Sequence, residues 1–268
     1  MSEISAVIIT SNEEKNIERC IKSLMNVADE IVVVDSCSND KTEDICRKSG
    51  VRFFKQTFPG YREQKNFAIK KASYRHILSL DADEALSREL EKSILQARKE
   101  LKNEGYTFNR MNNYCNTWIR HSNWYPDRKL RLFDSTKGEW KGINPHDKYI
   151  LPKGSKIEHL KGDLLHWPIA TYEEHIEKVN RFSSIAAREY FKLGRNVNGF
   201  SMIMHMVWRF IKAYLLRGGF MDGYNGFVIS SLSAYSSFLK YLKLRQLHLE
   251  AGKEKDSGNK SEIKPAGE

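Results

Sequence analysis

Short β-branched runs alternate with stretches of helical period through the first hundred residues, and this pattern limits the fold more than any other feature. Residues 4–10 (Ile-Ser-Ala-Val-Ile-Ile-Thr) form one such run, 30–35 (Glu-Ile-Val-Val-Val-Asp) a second, 51–55 a third and 76–80 a fourth. Between them lie segments of period 3.6. In residues 13–27, Ile17, Cys20, Ile21 and Leu24 fall on one face, and further helices are expected over 39–49, 61–73 and 87–102. Ser38 or Asn39 is placed to cap the second helix and Gly50 to end it, while Ser87 is placed to cap the fourth. Nearly continuous apolar strands joined through helices predict a parallel sheet covered on both faces.

The pattern changes after residue 104. Residues 105–166 are rich in aromatics, with short strand-like runs such as Lys129-Leu130-Arg131-Leu132-Phe133 and frequent Gly and Pro. They read as the mixed second half of the same domain, with loops able to carry an acceptor. Helices are expected over 171–193, 200–216 and 222–249, the last broken near Gly226. The expected organisation is therefore an α/β domain over 1–170, a helical region over 171–250 and a disordered tail over 251–268, whose last residues lack an apolar face.

Composition narrows the possibilities. At 268 residues and 40% hydrophobic, the chain can bury a real core in one or two domains. No run reaches the roughly 18 apolar residues of a membrane span, and Met1-Ser2-Glu3 leads straight into the first strand without a secretory leader. A cytoplasmic location is the expectation. Cys20, Cys37, Cys46 and Cys115 form no Cys-x-x-Cys pair and read as isolated thiols.

The net charge of +10 leaves nucleic acid, an anionic membrane or phosphate-bearing substrates as partners. A nucleic-acid partner would need a helix-turn-helix, an RNA-binding sheet motif or zinc ligands, and none is present. The charge has a location: between 201 and 247, Arg209, Lys212, Arg217, Lys240, Lys243 and Arg245 face a single acid, Asp222. Interleaved with Met, Phe and Trp, they describe a basic amphipathic helix suited to the inner face of a membrane. A core helix with one solvated face is the competing description.

Open parallel sheets bind ligands beyond the carboxyl ends of their strands. Three acidic signals fall there: Thr10-Ser11-Asn12-Glu13-Glu14, Asp35-Ser36 and Asp81-Ala82-Asp83-Glu84. Two carboxylates flanking a small residue at a strand end can share Mg2+ or Mn2+, which take one or two carboxylates together with substrate phosphates. The plainer alternative is a pair of solvated turn residues ahead of the helix at Ser87. A nucleotidyltransferase would also use such carboxylates, but residues 10–16 lack its glycine-rich basic loop.

Taken in order, Val7-Ile8-Ile9-Thr10-Ser11-Asn12-Glu13-Glu14, Asp29-Glu30-Ile31-Val32-Val33-Val34-Asp35-Ser36, Gln64-Lys65-Asn66-Phe67-Ala68 and Leu80-Asp81-Ala82-Asp83-Glu84 resemble the family 2 glycosyltransferases of the GT-A fold. Within them the chain is similar to the branch of the lipopolysaccharide core β-1,4-glucosyltransferase, the WaaE/KdtX-like proteins, over residues 4 to about 245. The resemblance implies an α/β fold with a Rossmann-like, mostly parallel sheet and a C-terminal helical extension. It implies an inverting, metal-dependent transfer of a hexose from a UDP-sugar to a lipid-linked glycan.

Residue by residue, it implies donor contacts from Thr10, Asn12, Glu13, Asp35, Lys65, Asn66, Asp81 and Ala82, and metal ligation by Asp83 with Asp81. His166 would complete the metal shell or orient the diphosphate. Related proteins carry His-Glu after a glycine in the middle region; here Gly142-Ile143-Asn144-Pro145-His146-Asp147 stands in that place. Asp147 is then the expected base, one methylene shorter than Glu, with Glu84 as its rival. His146, Trp140 and Trp124 are the expected acceptor contacts. Transfer to polyprenyl phosphate, or a non-catalytic basic protein binding membrane or nucleic acid, are the alternatives.

Overall fold

The computed structural model describes residues 1–142 and 147–261. In chain order the elements are β1 (Ile4–Thr10), α1 (Ile17–Leu24), β2 (Glu30–Asp35), α2 (Thr42–Lys48), β3 (Arg52–Lys55), α3 (Tyr61–Lys71), β4 (His76–Asp81), β5 (Glu84–Leu86), α4 (Arg88–Ala97) and β6 (Gly105–Tyr114). There follow β7 (Thr117–Ile119), β8 (Asp127–Asp134), β9 (Glu139–Lys141), β10 (Lys148–Ile150), β11 (Ile157–Ile169), α5 (Tyr172–Lys192), α6 (Gly199–Ile211) and α7 (Gly223–Ser261). They divide into two compact units. One comprises Met1–Asn113 and Tyr125–Pro168, the other Tyr114–Trp124 and Ile169–Glu268. A single cut at residue 170 therefore does not separate them, because Tyr114–Trp124 clusters with the C-terminal helices.

The first unit is built on a sheet of order β3-β2-β1-β4-β8-β6-β11-β5. Its first four strands are parallel, as the strand-helix alternation predicts; β8 then runs antiparallel to β4 and to β6, and β5 antiparallel to β11. Alternation along β1 explains the two cores. Ile4, Ala6 and Ile8 turn to the face where Ile17, Cys20, Ile21 and Leu24 of α1 pack. Val7 and Ile9 turn to the other, against Ala68 of α3 and the rings of Phe133, Trp140 and Tyr149.

The helices start and stop for local reasons. The expected first helix begins later, at Ile17, because Glu13–Asn16 form a turn in which the N–H groups of Asn16 and Ile17 both donate to the Glu13 carbonyl. The second begins at Thr42, since Asp40 takes the backbone N–H groups of Glu14 and Thr42 and holds the preceding loop to the end of β1. Ser87 caps α4 as expected, accepting from Leu90 N–H at 3.2 Å.

In the second unit, Thr171 and Glu174 form a reciprocal cap on α5: Thr171 Oγ1 accepts from Glu174 N–H, and Glu174 accepts from Ala170 N–H. The helix expected over 200–216 loosens into a π-helical turn at Lys212–Leu216, and a 3-10 turn at Gly219–Asp222 leads into α7. The break thus falls before Gly226, not at it. Gly226 lies within α7 because its backbone touches that of Gly219; a Cβ there would lie 1.8 Å from the Gly219 carbonyl oxygen. α7 continues to Ser261, past the point where the sequence is expected to lose structure, through a stretch whose Ala, Glu and Lys favour helix. Among the described residues, no helix is long and apolar enough to cross a membrane.

Candidate active site

Parallel register brings the acidic strand ends to one edge. Thr10 pairs with Asp35, and Ile9 with Asp81. The loop after β1 turns sharply at Asn12, whose φ is 54°, and is tied to the loop after β2: Asn12 N–H donates to Ser38 Oγ at 2.7 Å and Asn12 Oδ1 accepts from Asn39 N–H at 2.9 Å. Asp35 is fully buried and turned into its own loop, where it accepts from the N–H and hydroxyl of Ser38. These contacts fix the floor on which the remaining side chains stand.

A charge network occupies the end of β4. Asp81 accepts from Arg131 at 2.7 Å and contacts Lys65 Nζ at 3.3 Å. Lys65, almost buried, also reaches Asp147 at 3.2 Å and lies over the Trp140 ring. Arg131 is delivered by a bulge. Tyr106 pairs with Leu132 but Thr107 with Leu130, so Arg131 is the extra residue of β8 and its side chain is re-aimed inward. Glu84, with no exposed surface, accepts from Arg131 at 2.7 Å and Arg110 at 3.3 Å through one oxygen and from Asp81 N–H at 3.0 Å through the other. Burial by itself would raise the Asp81 carboxyl, but Arg131 and Lys65 outweigh it and hold Asp81 well below the ordinary carboxylate range. Burial would likewise lower Arg131, and Asp81 and Glu84 reverse that, raising it.

Two residues on, Asp83 meets β11. Its Oδ2 lies 3.2 Å from His166 Nε2. The other ring nitrogen, Nδ1, is 2.6 Å from Asn112 Oδ1, and since that oxygen can only accept, Nδ1 carries the proton. Nε2 then presents its lone pair toward a carboxylate, an arrangement suited to a cation shared between them.

Two cavities meet at Asp81. One, of about 270 Å3, is lined by Thr10, Ser11, Glu13, Ser36, Phe58, Tyr61, Ala82, Asp83 and His166 together with Asp81. Phe58 and Tyr61 contact edge to face at 5.0 Å on its wall, and the Thr10 hydroxyl is buried without a hydrogen-bond partner among the described residues. The other, of about 510 Å3, contains Lys65, Trp140 and Asp147 in addition to Asp81.

The expected residues therefore separate. Thr10, Glu13, Asp81, Ala82, Asp83 and His166 gather in the smaller cavity, and Lys65, Trp140 and Asp147 in the larger. Asp35, Asn12 and Asn66 line neither. Asp35 and Asn12 are engaged in the loops, and Asn66 uses its whole amide on the backbone N–H and carbonyl of Trp140, both at 3.1 Å. In place of Asp35, its neighbour Ser36 faces the smaller cavity beside Glu13 and Asp83. Glu84 has both oxygens engaged and no exposed surface, so it anchors Arg131 and is not positioned as a base. Trp124 belongs to the second unit, packed on Tyr114 and His175. His146 lies outside the described residues. Arg131 and Asn112 are the participants that sequence reasoning missed. An arginine between two leucines in a strand was the available signal for the first; nothing marks the second.

A strand-end carboxylate pair thus lies beside two adjoining cavities, and comparison with known proteins gives the family. The model for glycosyl transferase family 2 matches residues 5–153. An uncharacterised glycosyltransferase of Rickettsia typhi is 33% identical, covering 94% of this chain and 89% of that protein. The lipopolysaccharide core biosynthesis glycosyltransferase LpsC of Rhizobium meliloti is 31% identical over 91% of this chain and 93% of its own length. Among solved structures, S. aureus TarS aligns with a TM-score of 0.42 at 16% identity, over 69% of this chain and 39% of that one. The chain belongs to glycosyltransferase family 2 and is a glycosyltransferase, related to one of lipopolysaccharide core biosynthesis.

Proposed function

We propose that this glycosyltransferase moves a hexose, glucose in the first instance, from a UDP-sugar to a lipopolysaccharide core or other lipid-linked glycan, with inversion and with a divalent metal. The observation that carries the reading is the junction of the two cavities at Asp81, with Asp83 and His166 on one side and Asp147 on the other. The smaller cavity suits the nucleotide. Phe58 and Tyr61 offer faces for a base, Glu13 and Ser36 can bond ribose hydroxyls or a base N–H, and the Thr10 hydroxyl needs a partner.

The donor set fits Mg2+ or Mn2+. Among the described residues no group of three or more acidic, His or Cys side chains is arranged to hold an ion; Asp83 and His166 are the pair that would hold it, while Asp81, the other expected ligand, is engaged by Arg131 and Lys65. A pair of protein ligands is what such ions accept when substrate phosphates complete the shell, and an imidazole ligand leans toward manganese. When bound, the ion would neutralise the diphosphate leaving group.

The remaining chemistry falls to the chain. Asp147, its side chain 3% exposed, accepts the proton of the attacking acceptor hydroxyl. Lys65 must exchange its contact with Asp147 for that hydroxyl to enter. Trp140 forms one wall of the acceptor cavity, where a ring face can pack on a sugar.

The helical unit supports membrane association. α6 has no buried residue, and Phe200 is 75% and Trp208 55% exposed, beside Arg209 and Lys212. Such a surface suits the headgroup region of an anionic bilayer. The test of the enzyme reading is UDP-glucose turnover with Mn2+. Wild-type protein should release UDP, and Asp83→Ala should lose the metal-dependent rate; full activity in Asp83→Ala would overturn the metal assignment.

A further inference from the structure

Positive charge dominates the larger cavity. Lys65, Arg110, Arg128, Lys129, Arg131 and Lys148 line it against two carboxylates, Asp81 and Asp147. Glu84 and Asp127 behind the wall answer Arg110, Lys129 and Arg131. Arg128 and Lys148 are exposed and have no carboxylate partner among the described residues. Crowding shows in Lys129, whose ammonium is lowered by burial first and by Arg110 and Arg131 in addition, against the pull of Asp127. Two further buried groups of the lining, Arg131 Nε and Trp140 Nε1, have no hydrogen-bond partner among the described residues. Both are donors and can only be satisfied by an acceptor atom. An uncharged sugar offers hydroxyls that donate as readily as they accept and returns no negative charge.

We infer that the acceptor glycan carries an anionic group, a phosphate or a sugar-acid carboxylate, close to the hydroxyl that is glycosylated, and that Arg128 and Lys148 select it. The inference rests on the larger cavity being the acceptor site, as proposed above. Two cations without counter-charge attract such a group, and a bidentate arginine recognises either anion. The donor's own diphosphate is the competing occupant, so the test must separate them.

Binding is followed by tryptophan fluorescence, since Trp140 lines the cavity and no turnover is needed. The probes are a core oligosaccharide from rough lipopolysaccharide, the same material dephosphorylated with hydrofluoric acid, and the same material with its carboxyls reduced. Wild-type protein should bind the native probe about tenfold more tightly than one of the two stripped forms, and which form loses affinity names the anion. In Arg128→Gln/Lys148→Gln that preference should fall toward one, while Arg128→Lys/Lys148→Arg keeps it. Equal binding of all three probes by wild-type protein overturns the inference. So does an unchanged preference in the Gln pair, or a loss of UDP-glucose affinity in that pair as large as the loss for the native probe. Failure of the transfer reading looks different: the native probe binds with the stated preference, but no sugar moves.

Discussion

Replacing Glu84 and Asp147 one at a time should separate a carboxylate that holds the fold from one that does chemistry. Glu84 is sealed from solvent and takes hydrogen bonds from Arg131, Arg110 and Asp81 N–H. At 2.7 Å and an effective dielectric near 20, the attraction between Glu84 and Arg131 alone is about 6 kcal/mol. Desolvation of both ions offsets much of this, so Glu84→Gln should cost about 3 kcal/mol, in the range found when one member of a buried pair is removed. In a chain of this size that lowers Tm by roughly 6–12 °C. Asp147 is different. It shares the ammonium of Lys65 with Asp81, and Asp147→Asn leaves Lys65 its contact at 3.3 Å. Stability should change by about 1 kcal/mol or less, while transfer falls on the order of 10²–10⁴-fold, the usual contribution of a general base. Thermal unfolding and UDP release, measured on both variants, decide the matter. A Glu84→Gln protein that melts like wild type, or an Asp147→Asn protein that turns over normally, would refute the assignment of roles.

Other consequences are open to measurement. Asn112→Ala removes the partner of His166 Nδ1 and should weaken Mn2+ affinity by about 10–100-fold in calorimetry, without altering Asp83. His175 is held down to about 4, by burial first and by Lys178 next, with Glu174 opposing. Its folded value lies below its unfolded one, so its stability contribution is intact above about pH 6.5 and declines as pH falls toward 4. Lowering the pH from 7.5 to 5 should cost about 1–2 kcal/mol after solvent screening, seen as a drop in Tm that His175→Gln reduces. Neutralising Arg209, Lys212 and Lys240 together should weaken binding to phosphatidylglycerol vesicles by about 100-fold, near 1 kcal/mol per charge, in a co-sedimentation assay.

The sequence expressed the parallel half of the sheet clearly, because β1, β2 and β4 bury both faces while the helices bury one, and these leave periods of different length. Ile17, Cys20, Ile21 and Leu24 could only pack one way. Strand-end positions such as Asp81 and Asp83 followed from the same periodicity. What stayed hidden depends on side-chain direction or on pairing across distance. Asp35 ends its strand as expected, yet Ser38 turns its carboxylate inward. Arg131 looks like a solvated charge until the bulge at Tyr106/Thr107 re-aims it. Asn112 and His166 are 54 positions apart, and nothing local in either stretch announces the other. The junction before α7 moved away from Gly226 because a glycine can loosen a helix or let two backbones touch, and only the structure shows which.

The chain passes from one compact unit to the other three times, at 113/114, 124/125 and 168/169. The C-terminal helices are thus no detachable appendage. A protein shortened after residue 168 would still carry Tyr114 and Ile119, stripped of Ile169 and Ile229, the residues that bury them. Insolubility of such a fragment would follow from that stranded apolar cluster and would say nothing about catalysis. Engineers seeking a minimal enzyme should excise 114–124 with the helices and splice a short turn in its place, and grafts that exchange the helical part between relatives must carry both pieces as a matched set.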